Sequence, residues 1–249
     1  MKRPLIFAAA LLGLLAPVSA GKPAPGNYAA ALADTARPEA QRARDAARKP
    51  AELLAFAGIK PGQTVADYIM GGGYLTHILA GAVGPKGKVY AFQPVEFVSY
   101  QAAYGTEQDA VAAARANVTP LRTLISDFAL PEPADVIIAV QNFHDLYLKP
   151  MPAGTPDKGI AALYRALKPG GTLIVVDHVA ADGTGSSAAD TLHRIDPAFT
   201  RATLEKAGFR FDGELEIWRT TGDPHNANVF DPAIRGKTDQ FAYRFRKPK

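Results

Sequence analysis

Apolar residues along this chain fall into two alternating rhythms. Short runs of strand length, rich in β-branched residues, occur at 64–69, 88–93, 134–142 and 172–178. Between them, apolar residues recur every three or four positions, as in YLTHILAGAV and GIAALYRAL, which is the period of a helix packed on one face. A weaker strand is expected near 121–125. The run ADVIIAV has no polar alternation, as expected of a parallel strand covered on both faces. Strand and helix alternate five times, which predicts a doubly wound parallel α/β sheet. Two further strand patterns, FRFDGELEIWRT and QFAYRFR, follow a helix over FTRATLEKAGF and are expected to close the sheet edge as an antiparallel pair.

The stretch TVADYIMGGGYLTH organises the rest. Its apolar run ends beside Asp67, passes through three glycines (Gly71, Gly72, Gly73) and enters a helix. Glycine lets backbone approach a ligand with no Cβ in the way, and the first turn of a helix presents unpaired N–H groups. In an open α/β sheet, ligands sit at the carboxyl ends of the strands, where Asp67 stands. The next strand ends at Gln93, in the position from which an acid commonly reaches ribose hydroxyls. Glu96 is the nearest carboxylate.

At the other end, Lys2 and Arg3 precede an apolar run at 5–16, Pro17, and the small residues Val18-Ser19-Ala20, the pattern of a secretory signal peptide cleaved after Ala20. That run is about a dozen residues, short of the ~20 that span a bilayer. The mature protein is therefore expected to be periplasmic, with no membrane insertion after cleavage. Residues 21–49 form a lead-in rich in Pro, Gly and Ala and then a charged helix, RPEAQRARDAAR, expected to be solvated. Asp45 and Arg48 share one face of it, which would suit a cover over the glycine turn. A single domain is expected over 50–249.

Composition excludes several classes. The 249 residues contain no cysteine, so disulfides, thiolate metal sites and cysteine nucleophiles are absent. The formal charge of +4 falls to +2 when Lys2 and Arg3 leave with the leader, and the basic residues are dispersed, so nucleic acid is not an expected partner.

The quoted segments resemble the class I S-adenosylmethionine-dependent methyltransferases, and within them a group of exported bacterial methyltransferase-like proteins. Residues 67–73, DYIMGGG, are similar to the family's D-x-G-x-G-x-G loop; YRALKPGG resembles its approach to the fifth strand, and LEKAGF its last helix. The resemblance implies a seven-stranded Rossmann-like sheet, mostly parallel with an antiparallel last strand and helices on both faces. It also implies S-adenosyl-L-methionine as cofactor and a small-molecule acceptor. Carried over by position, Asp67, Gly71 and Gly73 would meet the amino-acid end of the cofactor, Gln93 its ribose, and Asp127 with Phe128 its adenine. Two positions depart from the pattern: Ile69 stands where the family has glycine, and Gln93 where it has an acid.

Methyl transfer needs an in-line nucleophile and, for a protonated acceptor, a base. His144 and Asp145 follow the fourth strand, and His178 ends the fifth, so these three are the catalytic candidates, with His144 first. Other readings stay open. His144, Asp145, His178, His193 and Asp196 are the nitrogen and oxygen ligands that zinc and similar ions take, although no pair has helical i, i+4 spacing. A non-catalytic periplasmic binding protein on the same scaffold is a third reading. Loops at 21–50, 145–158 and 222–238 would shape an acceptor site, and Tyr28, Phe97, Tyr100, Tyr104, Tyr147 and Trp218 would either line it or pack.

Overall fold

The computed structural model describes residues 28–249; the leader and its cleavage point lie outside them. Seven strands form one sheet: β1 (Thr64–Tyr68), β2 (Lys88–Phe92), β3 (Val118–Leu121), β4 (Ala134–Val140), β5 (Leu167–His178), β6 (Arg210–Glu214) and β7 (Gln240–Arg246). Their order is β3-β2-β1-β4-β5-β7-β6. The first five are parallel, and β7 runs antiparallel to both of its neighbours, β5 and β6. The doubly wound sheet is as expected, and the strand order reverses between β1 and β4, the place where such sheets open a crevice.

Ten helices surround it: α1 (Ala29–Ala33), α2 (Glu39–Arg42), α3 (Asp45–Arg48), α4 (Pro50–Ala57), α5 (Tyr74–Val83), α6 (Val95–Tyr100), α7 (Ala103–Ala114), α8 (Thr155–Ala166), α9 (Ala189–Leu192) and α10 (Pro197–Lys206). Two apolar clusters cover the two faces. Val65, Leu54, Ile78, Val136 and Ile174 lie on the α4/α5 side. Tyr68, Phe92, Ile137, Leu163 and Val175 lie on the α8/α10 side. Alternate residues of one strand thus enter opposite cores, the period-two geometry of a pleated sheet.

Three expectations are corrected, and one further turn is found to be tied down. The third strand ends at Leu121, and residues Ile125–Asp127 form a 3-10 turn, because Glu96 Oε1 and Oε2 accept the Ile125 N–H at 3.1 and 3.2 Å and pull the chain out of the sheet. The charged segment near residue 40 is two short helices, and Arg37 is buried instead of solvated: it donates bidentately to Asp45 at 2.8 and 2.7 Å and again to the Leu32 carbonyl at 2.8 Å. The Gly/Ser-rich turn at 182–187 is held in place, since Asp196 Oδ2 accepts the N–H groups of Gly183 and Gly185 at 2.9 and 3.4 Å. The sixth strand is short, ending at Glu214, and the chain leaves it through turns towards Trp218.

Candidate functional site

The turn after β1 is built under strain. Ile69 has φ +59°, a left-handed conformation that a β-branched side chain disfavours. Gly71 and Gly73 follow at φ +54° and +76°, and Gly73 caps α5. The Met70 N–H donates to the Phe92 carbonyl at 2.9 Å, tying the turn to β2. At the end of β4, Gln141 repeats the left-handed conformation at φ +59°, and the next residue, Asn142, donates from Nδ2 to the carbonyls of Tyr68 and Ile69 at 2.6 and 3.0 Å. Two strained side-chain-bearing residues therefore follow the two strands that flank the switch point. Strain of this kind persists where the surroundings enforce it, and it gathers at ligand sites.

A cavity of about 550 Å³ opens here, on the α4/α5 face. Asp67, Ile69, Gln141, Asn142 and His178 form its floor along the strand ends; Arg44, Arg48 and Tyr74 stand on one side, Trp218, Phe230, Arg235 and Thr238 on the other. Helix α3 and the residues Ala43 and Arg44 before it also line it. Gln41 Nε2 donates to the Gly72 carbonyl at 2.8 Å, and the Tyr74 hydroxyl donates to Asp45 at 2.8 Å. The guanidinium groups of Arg37, Arg44 and Arg48 lie 5.6, 5.5 and 5.0 Å from the Tyr74 ring centre.

Asp67 is buried, and burial raises its carboxyl to about 6 despite the Thr76 hydroxyl donating to it at 2.6 Å and the positive charge of Arg48 nearby. Burial likewise lowers Arg48 to about 10, with Arg44 adding repulsion. His178 is driven down to about 4, chiefly by burial, so its ring is neutral at pH 7; its Nδ1 shares a hydrogen bond of 2.8 Å with the Thr238 hydroxyl.

The other catalytic candidates lie elsewhere. His144 and Asp145 do not line the cavity. The cause is strand alternation: Asp177 and His178 are consecutive on β5 and point to opposite faces. On the far face Asp177 accepts the His144 backbone N–H at 2.9 Å and pairs with His144 Nδ1 at 2.8 Å. Burial opposes a charge on His144, but Asp177 and Asp145 outweigh it and raise the ring to about 9, so it is a poor proton acceptor near neutrality. His193 Nδ1 lies 3.2 Å from His144 Nε2. Asp196 instead caps α10, accepting the Ala198 N–H at 2.8 Å.

The six residues placed at the cofactor by resemblance also separate. Asp67 lines the cavity. Gly73 packs so closely that an added Cβ would meet Val111 Cγ2 at 2.5 Å. Gln93 is fully buried with its Oε1 accepting the Gly71 N–H at 3.0 Å. Asp127 is exposed, and Phe128 packs in the opposite core against Tyr68 and Phe92 at ring distances of 5.0 and 4.8 Å. Of the aromatic candidates, Trp218 reaches the cavity, Tyr28 packs with its hydroxyl donating to the Ile59 carbonyl at 2.9 Å, and Tyr100 is exposed. Sequence reasoning passed over Gln141, Arg44, Arg235 and Thr238, which carry no motif; Tyr74 and Thr76, next to the glycines, were the findable ones.

No family model matches the chain, and no curated protein matches it. Solved structures do. A SAM dependent methyltransferase from Aquifex aeolicus is similar over 82% of this chain and 93% of that one, with 24% identity and a TM-score of 0.57. A putative sarcosine dimethylglycine methyltransferase from Galdieria sulphuraria matches over 84% and 88%, at 17% identity and 0.59. The chain has the methyltransferase fold. That fold also carries other chemistry, since the [4+2]-cyclase SpnF is similar over 87% of this chain and 86% of that one, at 17% identity and 0.59.

Whether the site suits the cofactor of its methyltransferase-fold neighbours is tested by its unpartnered polar atoms. Gln93 Nε2 and Asn142 Oδ1 are buried with no hydrogen-bond partner, one a donor beside the glycine turn and the other an acceptor at the end of β4. Orphaned polar atoms of this kind are rare unless a ligand satisfies them. Of the two, Asn142 lines the cavity and with the Asp67 carboxyl fits the cationic end of a ligand, whereas Gln93 lies buried behind the glycine turn. Asp127 and Phe128 do not contribute to that fit.

Proposed function

We propose that this protein is an S-adenosylmethionine-dependent methyltransferase acting on a small-molecule acceptor, in the periplasm after its leader is removed. The observation that carries the reading is the cavity at the switch point, floored by Asp67 and the strained Ile69 and Gln141. Asp67 with Asn142 Oδ1 would hold the cationic amino-acid end, and Gln93, buried behind the glycine turn, would brace the Gly71 backbone there. When bound, S-adenosylmethionine supplies a methyl group on a sulfonium sulfur.

The chain's own residues then have three tasks. Helix α3, anchored through the Tyr74 hydroxyl on Asp45, would cover one side of the cavity. Arg44, Arg48 and Arg235 line it beside the aromatic faces of Tyr74, Trp218 and Phe230, so they favour a flat acceptor that arrives as an anion, a carboxylate or phenolate. Such an acceptor needs no strong base, in keeping with a His178 that stays neutral and is oriented by Thr238. The binding-only reading would rest on one observation, that Gln93 already occupies the Gly71 N–H.

Calorimetric titration of the mature protein with S-adenosylhomocysteine decides between them. A one-to-one complex that raises Tm by about 5–10 °C at a hundredfold excess over Kd, and is lost in Asp67→Ala, supports the proposal. Absence of binding at millimolar ligand refutes it.

A further inference from the structure

On the far face of β5, three side chains from two separate loops converge where the cavity chemistry does not reach. His144 and Asp145 lie on the 3-10 turn His144–Tyr147 after β4, and His193 follows α9. One ligand-type atom of each lies within 4.8 Å of the others. His144 Nε2 is 3.2 Å from His193 Nδ1 and 3.2 Å from Asp145 Oδ1. A tetrahedral ion with bonds of about 2.0–2.2 Å sets its ligand atoms about 3.3–3.6 Å apart, so these two separations lie close to two edges of such a site.

The surroundings prepare the ligands. Asp177 is fully buried and accepts from the His144 N–H, and its Oδ1 also takes the His178 N–H at 2.8 Å, so it is rigidly held. By pairing with His144 Nδ1 it turns the ring so that Nε2 points to His193 and Asp145, the carboxylate–histidine arrangement found behind metal ligands. His193 is held at φ +53°, a left-handed conformation with no glycine to ease it. Its loop is clamped to β5, with the Ile195 N–H donating to the His178 carbonyl at 3.0 Å and the Ala180 N–H to the Ile195 carbonyl at 3.0 Å. Lys149 N–H donates to Asp190 at 2.9 Å and joins the two loops. Strain and orientation thus aim three ligand atoms at one point.

We propose that His144, Asp145 and His193 form a site for a divalent ion of the zinc class, with Asp177 as the positioning carboxylate. Two imidazoles and one carboxylate suit zinc or its borderline neighbours better than calcium or magnesium, which prefer all-oxygen shells. Three protein ligands leave a fourth position for water or for a ligand's donor atom. His193 is half-buried, giving the ion a route in, and its ring packs on Phe230, a cavity residue, at 4.9 Å. The site stands independently of methyl transfer.

The test uses the tag-free, chelator-treated full protein, titrated with Zn²⁺ and with Co²⁺. One equivalent of either ion, with the visible bands of four-coordinate Co²⁺, is the expected result. His193→Ala and Asp145→Asn should weaken binding more than the roughly 10–100-fold expected for Asp177→Asn, whereas His225→Asn should leave it unchanged. His144→Ala removes the partner of a buried acid and so puts the fold itself at stake; the half-buried His193 therefore decides the matter, with circular dichroism confirming that its variant is folded. Failure to bind one equivalent, or retention of full affinity by folded His193→Ala and Asp145→Asn, overturns the assignment.

Discussion

Gln93 reaches from the end of β2 and accepts the Gly71 N–H at 3.0 Å, closing the glycine turn with a side chain instead of a ligand. Its Nε2, on the same amide, has no partner. One half of the group is structural and the other is buried without a partner. Gln93→Ala should therefore lower stability by about 1–3 kcal/mol through the orphaned Gly71 amide, read from urea unfolding, and should also weaken S-adenosylhomocysteine. Glu at this position keeps the acceptor but loses the donor, so Gln93→Glu separates the two effects.

Asp67 gives a pH dependence with a definite sign. Its carboxyl titrates near 6 in the folded protein against 3.8 in its ordinary state, because burial disfavours the charge. The folded chain then binds the proton more tightly than the unfolded one, so stability is greatest below about pH 4 for this group and falls as pH rises through 6. A shift of about two units corresponds to about 3 kcal/mol. Asp67→Asn should flatten this slope and be the more stable protein at pH 7.5, while binding a cationic ligand worse. Unfolding midpoints at pH 4.5, 6 and 7.5 for both proteins check it; parallel curves would contradict the assignment.

At Ile69 two effects oppose each other. Replacing a buried isoleucine by glycine loses apolar burial, but here it also releases a left-handed strain of about 1–3 kcal/mol. Ile69→Gly should thus be less destabilising than Ile138→Gly in the regular part of β4 by about that amount. The bare turn should bind S-adenosylhomocysteine more tightly than the native chain. Equal losses at the two positions would remove strain from the account.

Arg194 and Asp223 form a fully buried bidentate pair at 2.8 Å in both contacts. Arg194 also donates to the carbonyls of Val179 and Ala227, and Asp223 accepts the Asp239 N–H at 2.7 Å, so the pair pins both ends of the loop that carries Phe230, Arg235 and Thr238. Arg194→Met leaves an unpaired buried carboxylate and should cost about 3–5 kcal/mol. Limited proteolysis should then cut within residues 224–238, where the native chain resists.

The architecture was legible because parallel strands covered on both faces must be apolar throughout, and ADVIIAV and TLIVVDH say so directly. The acid before the glycines was legible for the same local reason. What failed to show was which way neighbouring side chains face. Asp177 and His178 read as one pair at a strand end, yet the pleat sends one to each side and divides the expected catalytic trio. Arg37 read as a surface charge because its partner, Asp45, lies beyond a break in the helix that periodicity does not reveal. Phe128 fell to the core because the 3-10 turn before it rotates the chain away from the sheet edge.

The position of β7 sets an order on assembly. It is the last strand in sequence, yet it lies between β5 and β6, and β6 has no other neighbour. Until residues 240–246 are made, the parallel half ends on a bare edge at β5, and the segment 210–214 has nothing to zip onto. Folding of this sheet is therefore completed from the inside, by a latecomer threaded between two waiting pieces, and any chain stopped short of that strand would expose the sticky side of β5 to its neighbours.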